Sequence, residues 1–261
     1  MIRAMRTAAS GMLAQQMQVD SLANNIANSN TAGFKRDHVA FKSLLYRTYR
    51  DPGALTGQNY ATPTGLQIGS GVEIGSSIKQ HQQGDMDPTG NELDMAINGP
   101  GFFQVSLGNG EFRYTRDGSF RRDATGSIVT VDGFYLEPRV QIPEGVTGLT
   151  IGADGTVSGI TPGGDAARFD EILLYVVPNP AGMKASGANF FQTTASSGQA
   201  VQRTAGADGA GFIRQGALER SNVLVVEELI ELIQAQRNYE VNSRTIKVGD
   251  EMLQQVSQLI N

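Results

Sequence analysis

The sequence predicts an α+β fold: long N- and C-terminal helices forming a coiled-coil domain, with a central, mostly antiparallel β-domain of barrel or sandwich type. Three observations predict it. Of 32 glycines, residues 1–50 hold two, Gly11 and Gly33, and residues 216–261 hold two, Gly216 and Gly249. All nine prolines fall between Pro52 and Pro180. Both residues break helices, so the ends can be long helices and the middle cannot. Apolar residues recur every seven positions at both ends, and short apolar runs alternate with turn dipeptides between them.

The first element is a helix of about 28 residues, roughly 40 Å long. Met5, Met12, Val19 and Ile26 stand seven apart, and Ala8, Ala9, Leu22 and Ala23 widen that face. The turn-forming run Asn28–Gly33 ends it, with Gly33 at a left-handed position. A short amphipathic stretch follows over 34–49, with Phe41, Leu44 and Leu45 on its apolar face. The last element repeats the pattern: Leu218, Val225, Leu232, Tyr239, Ile246, Leu253 and Ile260 are each seven apart. Ser221 or Asn222 is its expected N-cap, and Glu227 and Glu228 lie where the helix dipole favours acids. Periodicity kept this long favours helix-on-helix packing. Two such stripes are too broad to hide only against each other, so neighbouring chains are expected to cover the remainder.

In the middle, Asx-Gly turns at Asn98-Gly99, Asp117-Gly118, Asp132-Gly133 and Asp154-Gly155 separate short apolar runs, the strongest local hairpin signal. The run Ile172–Val177, stopped by Pro178 and Pro180, reads as a core strand. The expected divisions are a helical half at 1–45, an extended Gly/Pro-containing stretch at 46–74, the β-domain at 75–216 and a second helical half at 217–261.

Composition narrows the function. The chain has 261 residues, no cysteine and two histidines, His38 and His81. That excludes a disulfide scaffold or a thiolate site and leaves little for zinc. The net charge of -5 argues against a nucleic-acid binder. No apolar run is long enough for a membrane span, and the N-terminal arginines lack the apolar stretch of a cleavable signal. There is no phosphate-binding loop, zinc-protease or nucleophile-elbow motif, so no catalytic, cofactor or metal site is expected. Asp85, Asp87, Glu92 and Asp94 read as solvated turns, His81 as structural, and Arg113, Arg116, Arg121 and Arg122 as strand residues facing water.

The stretch Ser21–Arg36 resembles the N-terminal signature of the bacterial flagellar rod and hook proteins. The matching positions are Asn24, Asn25, Ala27, Asn28, Thr31, Gly33, Phe34 and Lys35. Ser221–Val223, Glu227–Ile230 and Gln236–Ser243 resemble the family's C-terminal signature, and Gly99–Val105 and Tyr114–Phe120 its middle. Within the family, residues 46–54 and 63–72 are similar to a stretch of the distal-rod members. The chain is too short for the further β-domain of the hook members; proximal-rod members remain the alternative.

The resemblance implies a structural protein that polymerises into a helical tube. The terminal helices would form an inner coiled-coil layer, with the β-domain outside. Its partners would be further copies of itself, proximal rod proteins, the hook protein, the surrounding P and L rings, the rod cap and the flagellar type III export apparatus, in the periplasmic part of the basal body. Met5, Met12, Val19, Leu22, Ile26, Val225, Leu232, Tyr239, Ile246, Leu253 and Ile260 would then be assembly seams. A β-domain enzyme or adhesin on helical stalks is the alternative class, and an enzyme has no need of two apolar helices bracketing its core. The stretch 46–71 is expected to dock on neighbouring subunits and stiffen the tube, through Tyr46, Tyr49, Leu55, Tyr60, Leu66 and Ile68, since a pure spacer would not need such side chains.

Overall fold

The computed structural model describes residues 2–52, 55–57, 60–61 and 63–260, without the side chains of 55–57, 60, 61, 259 and 260. The side chains of Leu55, Tyr60 and Ile260 therefore lie outside the described part. The chain forms two compact units. One takes residues up to 26, 37–78 and from 224 onward; the other takes 27–36 and 79–223.

The first unit is helical at both its chain ends. Helix α1 spans Ile2–Ala27 and helix α2 spans Val225–Ile260. They run antiparallel: Asn25 meets Glu228, Gly11 faces Asn242 and Gly249 faces Met5. The two glycines set the spacing. A Cβ at either would come within 2.9 Å of the opposing side chain, so the helices approach closer than a pair with larger residues at these points could.

Helix α2 starts later than expected. Asn222 is not its N-cap: Asn222 Oδ1 accepts from the Arg36 N–H at 2.8 Å, and Nδ2 donates to the Gln80 and Gln82 carbonyls. With that side chain engaged elsewhere, and Ser221 Oγ accepting from the Val223 N–H, the first helical bond runs from Glu228 N–H to the Leu224 carbonyl at 3.1 Å. Glu227 and Glu228 still occupy the first turn.

The remainder of this unit is a two-stranded ribbon. Asp37–Ser43 pairs with Val72–Lys79, Arg47–Arg50 with Leu66–Ile68, and Leu55–Gly57 with Tyr60–Ala61. The amphipathic stretch over 34–49 and the extended stretch after it are thus two legs of one hairpin. Proline and glycine forbid a helix here, and mutual pairing is the remaining way to satisfy the backbone groups.

The second unit is an antiparallel β-domain. Its largest sheet has seven strands in the order Phe120–Arg122, Ile128–Thr130, Tyr135–Glu137, Phe103–Ser106, Phe112–Thr115, Phe190–Gln192, Lys184–Ala185. A three-stranded sheet follows over Thr147–Ile151, Thr156–Ile160 and Ala166–Glu171. Hairpins form at Asp132-Gly133 and Asp154-Gly155, whose glycines have φ of +86° and +87°. Asn98-Gly99 instead ends a strand, Met95–Asn98, that pairs with the distant Phe212–Gln215. Phe103 and Phe120 cross edge-to-face at 5.2 Å in a core shared with Met95, Ile97, Val105, Leu136, Ile172 and Leu174. Burying each such side chain contributes roughly 1.5–3 kcal/mol.

Candidate assembly interface

The heptad residues are only partly covered within the chain. Leu22 is buried; Met5, Met12, Val19, Ile26, Leu232, Ile246 and Leu253 are half-buried; Val225 and Tyr239 are exposed. Apart from Leu22, the fully covered positions on the two helices are small or polar: Ala8, Ala14, Asn25, Glu228 and Ala235. Close approach at Gly11 and Gly249 buries small residues and leaves the large ones on the flanks. Leu13, Met17, Val226, Ile230, Ile233, Val241 and Val248 all face solvent, Val226 at 71% exposure. An apolar groove of about 470 Å³ runs along Ala4, Val241, Val248, Gly249 and Met252. On the ribbon, Tyr46, Tyr49, Leu66 and Ile68 are exposed as well.

The motif after α1 has a different use. Asn25 is completely buried; its amide donates to the Asp37 carbonyl at 2.9 Å and the Glu228 carboxylate at 3.0 Å, while its Oδ1 accepts from the Asp37 N–H. Asn24 and Ala27 are exposed. Thr31 caps the turn by donating its N–H to the Asn28 carbonyl and its hydroxyl to Asn28 Oδ1, each at 3.2 Å. Gly33 has φ +68° and donates its N–H to the Glu219 carbonyl; a Cβ there would strike the Arg116–Asp117 peptide at 2.6 Å. Phe34 is buried with the Lys79 ammonium 4.7 Å above its ring.

Lys35 closes the arrangement. Its ammonium reaches Glu219 Oε1 at 2.5 Å and the Gln82 carbonyl at 2.8 Å, with neither charged side chain exposed. Glu219 Oε2 accepts from Arg116 at 3.2 Å, and Oε1 also accepts from the Gly84 N–H at 3.0 Å. Arg116 also donates from Nη1 to the Ile97 carbonyl and from Nη2 to the Gly99 carbonyl. Two cations share one carboxylate, and carbonyl dipoles complement the surplus charge. Burial pulls the basicity of both Lys35 and Arg116 down, and Glu219 opposes that. Next to them His81 packs edge-on against Phe102 and Phe191 at 5.6 and 5.2 Å. Among the described residues neither ring nitrogen is placed to hydrogen-bond, and the nearby Pro180 carbonyl opposes the downward shift only weakly. Burial, then the Lys35 and Arg116 charges, lowers its pKa to about 4.

Arg116 is a correction to the sequence reading. Among the four arginines expected to face water, Arg121 and Arg122 do and Arg113 is half-buried, but Arg116 is 5% exposed and ion-paired. Strand alternation alone could not reveal it, because its partner is more than a hundred residues away. Asp94 is likewise buried, accepting from Thr89 and Asn91, not solvated. No cluster suited to a metal ion occurs among the described residues, and no described helix is long and apolar enough to cross a membrane.

Three family models match in order along the chain. They are the flagella basal body rod protein model over residues 5–35, the flagellar hook protein FlgE/F/G D1 domain over 96–159, and the flagellar basal body rod FlgEFG protein C-terminal model over 214–259. The flagellar basal-body rod protein FlgG of Caulobacter vibrioides is 42% identical over 260 residues, covering 99% of each chain. That of Buchnera aphidicola subsp. Acyrthosiphon pisum is 41% identical over 260 residues, 99% of this chain and all of its own. The chain belongs to the flagellar basal-body rod protein family. The Bacillus subtilis rod protein FlgG, at 35% identity over 264 residues, extends the likeness across 99% of both chains. As a rod protein, the chain carries the family's N-terminal model on α1 and the motif after it, and the C-terminal model on α2 and the strands before it.

Proposed function

We propose that the chain is a structural subunit of the flagellar distal rod, self-assembling into a helical tube that transmits torque from motor to hook, and that it is not an enzyme. The observation that carries this reading is the row of large apolar side chains left exposed along α1 and α2. In the tube, α1 and α2 would form an inner coiled-coil layer, with residues 75–216 outside it. The seam residues Met5, Met12, Val19, Leu22, Ile26, Val225, Leu232, Tyr239, Ile246, Leu253 and Ile260 would share that inner layer with neighbouring copies. The ribbon would lie across adjacent subunits and stiffen the assembly. Its neighbours would be proximal rod proteins, the hook protein, the P and L rings, the rod cap and the type III export apparatus that delivers it to the periplasm.

Ile233→Asp and Val226→Asp test this. Both positions face solvent in the single chain, at 51% and 71% exposure, so the substitutions spare its folding. In a polymer each would bury an unpaired carboxylate at a cost of several kcal/mol. The expected result is a folded subunit by circular dichroism that forms no polymer by electron microscopy and no rod in cells. Normal polymer from both variants refutes the inner-layer reading.

A further inference from the structure

The first turns of α1 and the ribbon enclose a cleft of about 290 Å³ lined by Arg3, Arg6, Thr7, Ser10, Leu44, Gly69 and Ser70. Among the described residues, no carboxylate lines it. Arg6 is exposed and has no ion pair among the described residues. Arg3 is held in place: it donates to the Tyr49 hydroxyl, and its guanidinium lies 5.6 Å from the Tyr49 ring centroid, with Arg47 at 5.3 Å. Ser10 is fixed as well, donating to the Thr7 carbonyl and accepting from the Val72 N–H. The cleft therefore presents two guanidinium groups, one pre-oriented, beside the Thr7 and Ser70 hydroxyls. That donor set suits an oxyanion of carboxylate size.

The chain carries a matching group. Residues 1–50 hold seven Lys and Arg against two Asp and Glu, while residues 216–261 hold four against seven. On α2, Asp250 and Glu251 are adjacent and exposed; Asp250 accepts only from Gln254, one turn on, and Glu251 has no ion pair among the described residues. The antiparallel register puts Ile2 beside about residue 252, so α2 continues some two turns past the start of α1. The basic cleft and the acidic pair thus lie at the same end of the helix pair yet do not meet within one chain. Two copies packed side by side in the same direction bring the cleft of one level with the acids of the next. We infer that the Arg3–Arg6 cleft receives the Asp250–Glu251 carboxylates of a second copy of this chain. The inference rests on the reading of the chain as a self-assembling subunit.

The absence of cysteine makes a direct test available. Full-length Arg6→Cys chain is mixed with affinity-tagged full-length Glu251→Cys chain and oxidised, with tagged Asp132→Cys as the control partner. Held pairs raise the local thiol concentration, so the heterodimer should form about tenfold or more faster than with the control partner. Raising salt from about 0.05 M to about 0.5 M should remove the advantage by screening. In parallel, Arg6→Glu and Glu251→Arg should each slow polymer growth about tenfold, and the double variant should recover most of the loss. Equal cross-linking with both partners, or a double variant no better than the singles, overturns the inference. Arg6-dependent binding to anionic lipid vesicles without cross-link enrichment assigns the cleft to a headgroup and overturns it too. The self-assembly reading is scored separately by whether the unsubstituted chain polymerises; polymer indifferent to these charges sinks only the inference.

Discussion

Lys35 and Glu219 stand 184 residues apart and meet at 2.5 Å, both fully enclosed by protein. One follows the first helix and the other precedes the last, so this contact joins the segment after α1 to the segment before α2. The tie is reinforced by the Gly33 N–H on the Glu219 carbonyl and by Arg116 on its carboxylate.

Glu219→Gln should therefore cost the β-domain about 3–5 kcal/mol, because it leaves two buried cations without a counter-charge. Lys35→Met should cost less, since Arg116 still neutralises Glu219. Urea titration followed by tyrosine fluorescence measures both. Equal effects would show that the ammonium and the carboxylate contribute only as a pair.

Gly33→Ala should destabilise by more than about 1 kcal/mol on backbone strain alone, with a clash against the Arg116–Asp117 peptide added. Gly90→Ala, with φ +72° and nothing within 4 Å of its Cβ, is the matched control for strain without clash. The difference between their denaturation midpoints isolates the close approach.

His81 should make the domain acid-sensitive. Its pKa falls from 6.5 in the unfolded chain to about 4 in the folded one. The folded state binds the proton less well, so its stability is intact above about pH 6.5 and declines as the pH drops from there towards 4. The loss at the acid end approaches roughly 3 kcal/mol. Protonation would set a further cation beside Lys35, Arg116 and Lys79. His81→Phe keeps the ring packing on Phe102 and Phe191 and should flatten the stability profile between pH 6.5 and 4. An unchanged profile would place the acid sensitivity elsewhere.

Shortening the ribbon should alter mechanics before assembly. Deletion of residues 54–66 should give polymers that still form but curve, measured as persistence length in micrographs. Straight polymers of unchanged stiffness would count against the stiffening role.

Asn25→Leu should remove three hydrogen bonds at the junction of α1, α2 and the ribbon, at a cost of about 1–3 kcal/mol. Faster amide exchange in α1 with unchanged exchange over residues 95–215 is the expected pattern.

The parts visible in the sequence are those fixed by local rules. Periodicity placed both helices within a few residues, and Asp132-Gly133 and Asp154-Gly155 marked real hairpins, because each depends on neighbours along the chain. The ribbon was harder to see: the pairing of Arg47 with Ile68 reads only as two separate polar and apolar fragments until the strands meet. The buried cluster was least visible. Arg116 looks like any alternate strand residue, and only its approach to Glu219 distinguishes it. Heptad spacing does not reveal the close approach at Gly11 and Gly249, which lets the helices close on Ala8, Ala14 and Ala235.

The helical unit is drawn from both ends of the chain, with the whole of residues 79–223 between its parts. Its completion is consequently a matter of timing. A chain that appears gradually, from its first residue to its last, can fold the β-domain from a nearly continuous stretch and pair the ribbon on itself, but α1 must wait for α2. Until then α1 is half of a matched surface, unable to form the Asn25–Glu228 contact. The apolar flanks of the pair, made from both helices together, do not exist before the final residues arrive. A subunit so built becomes adhesive last, and only when whole.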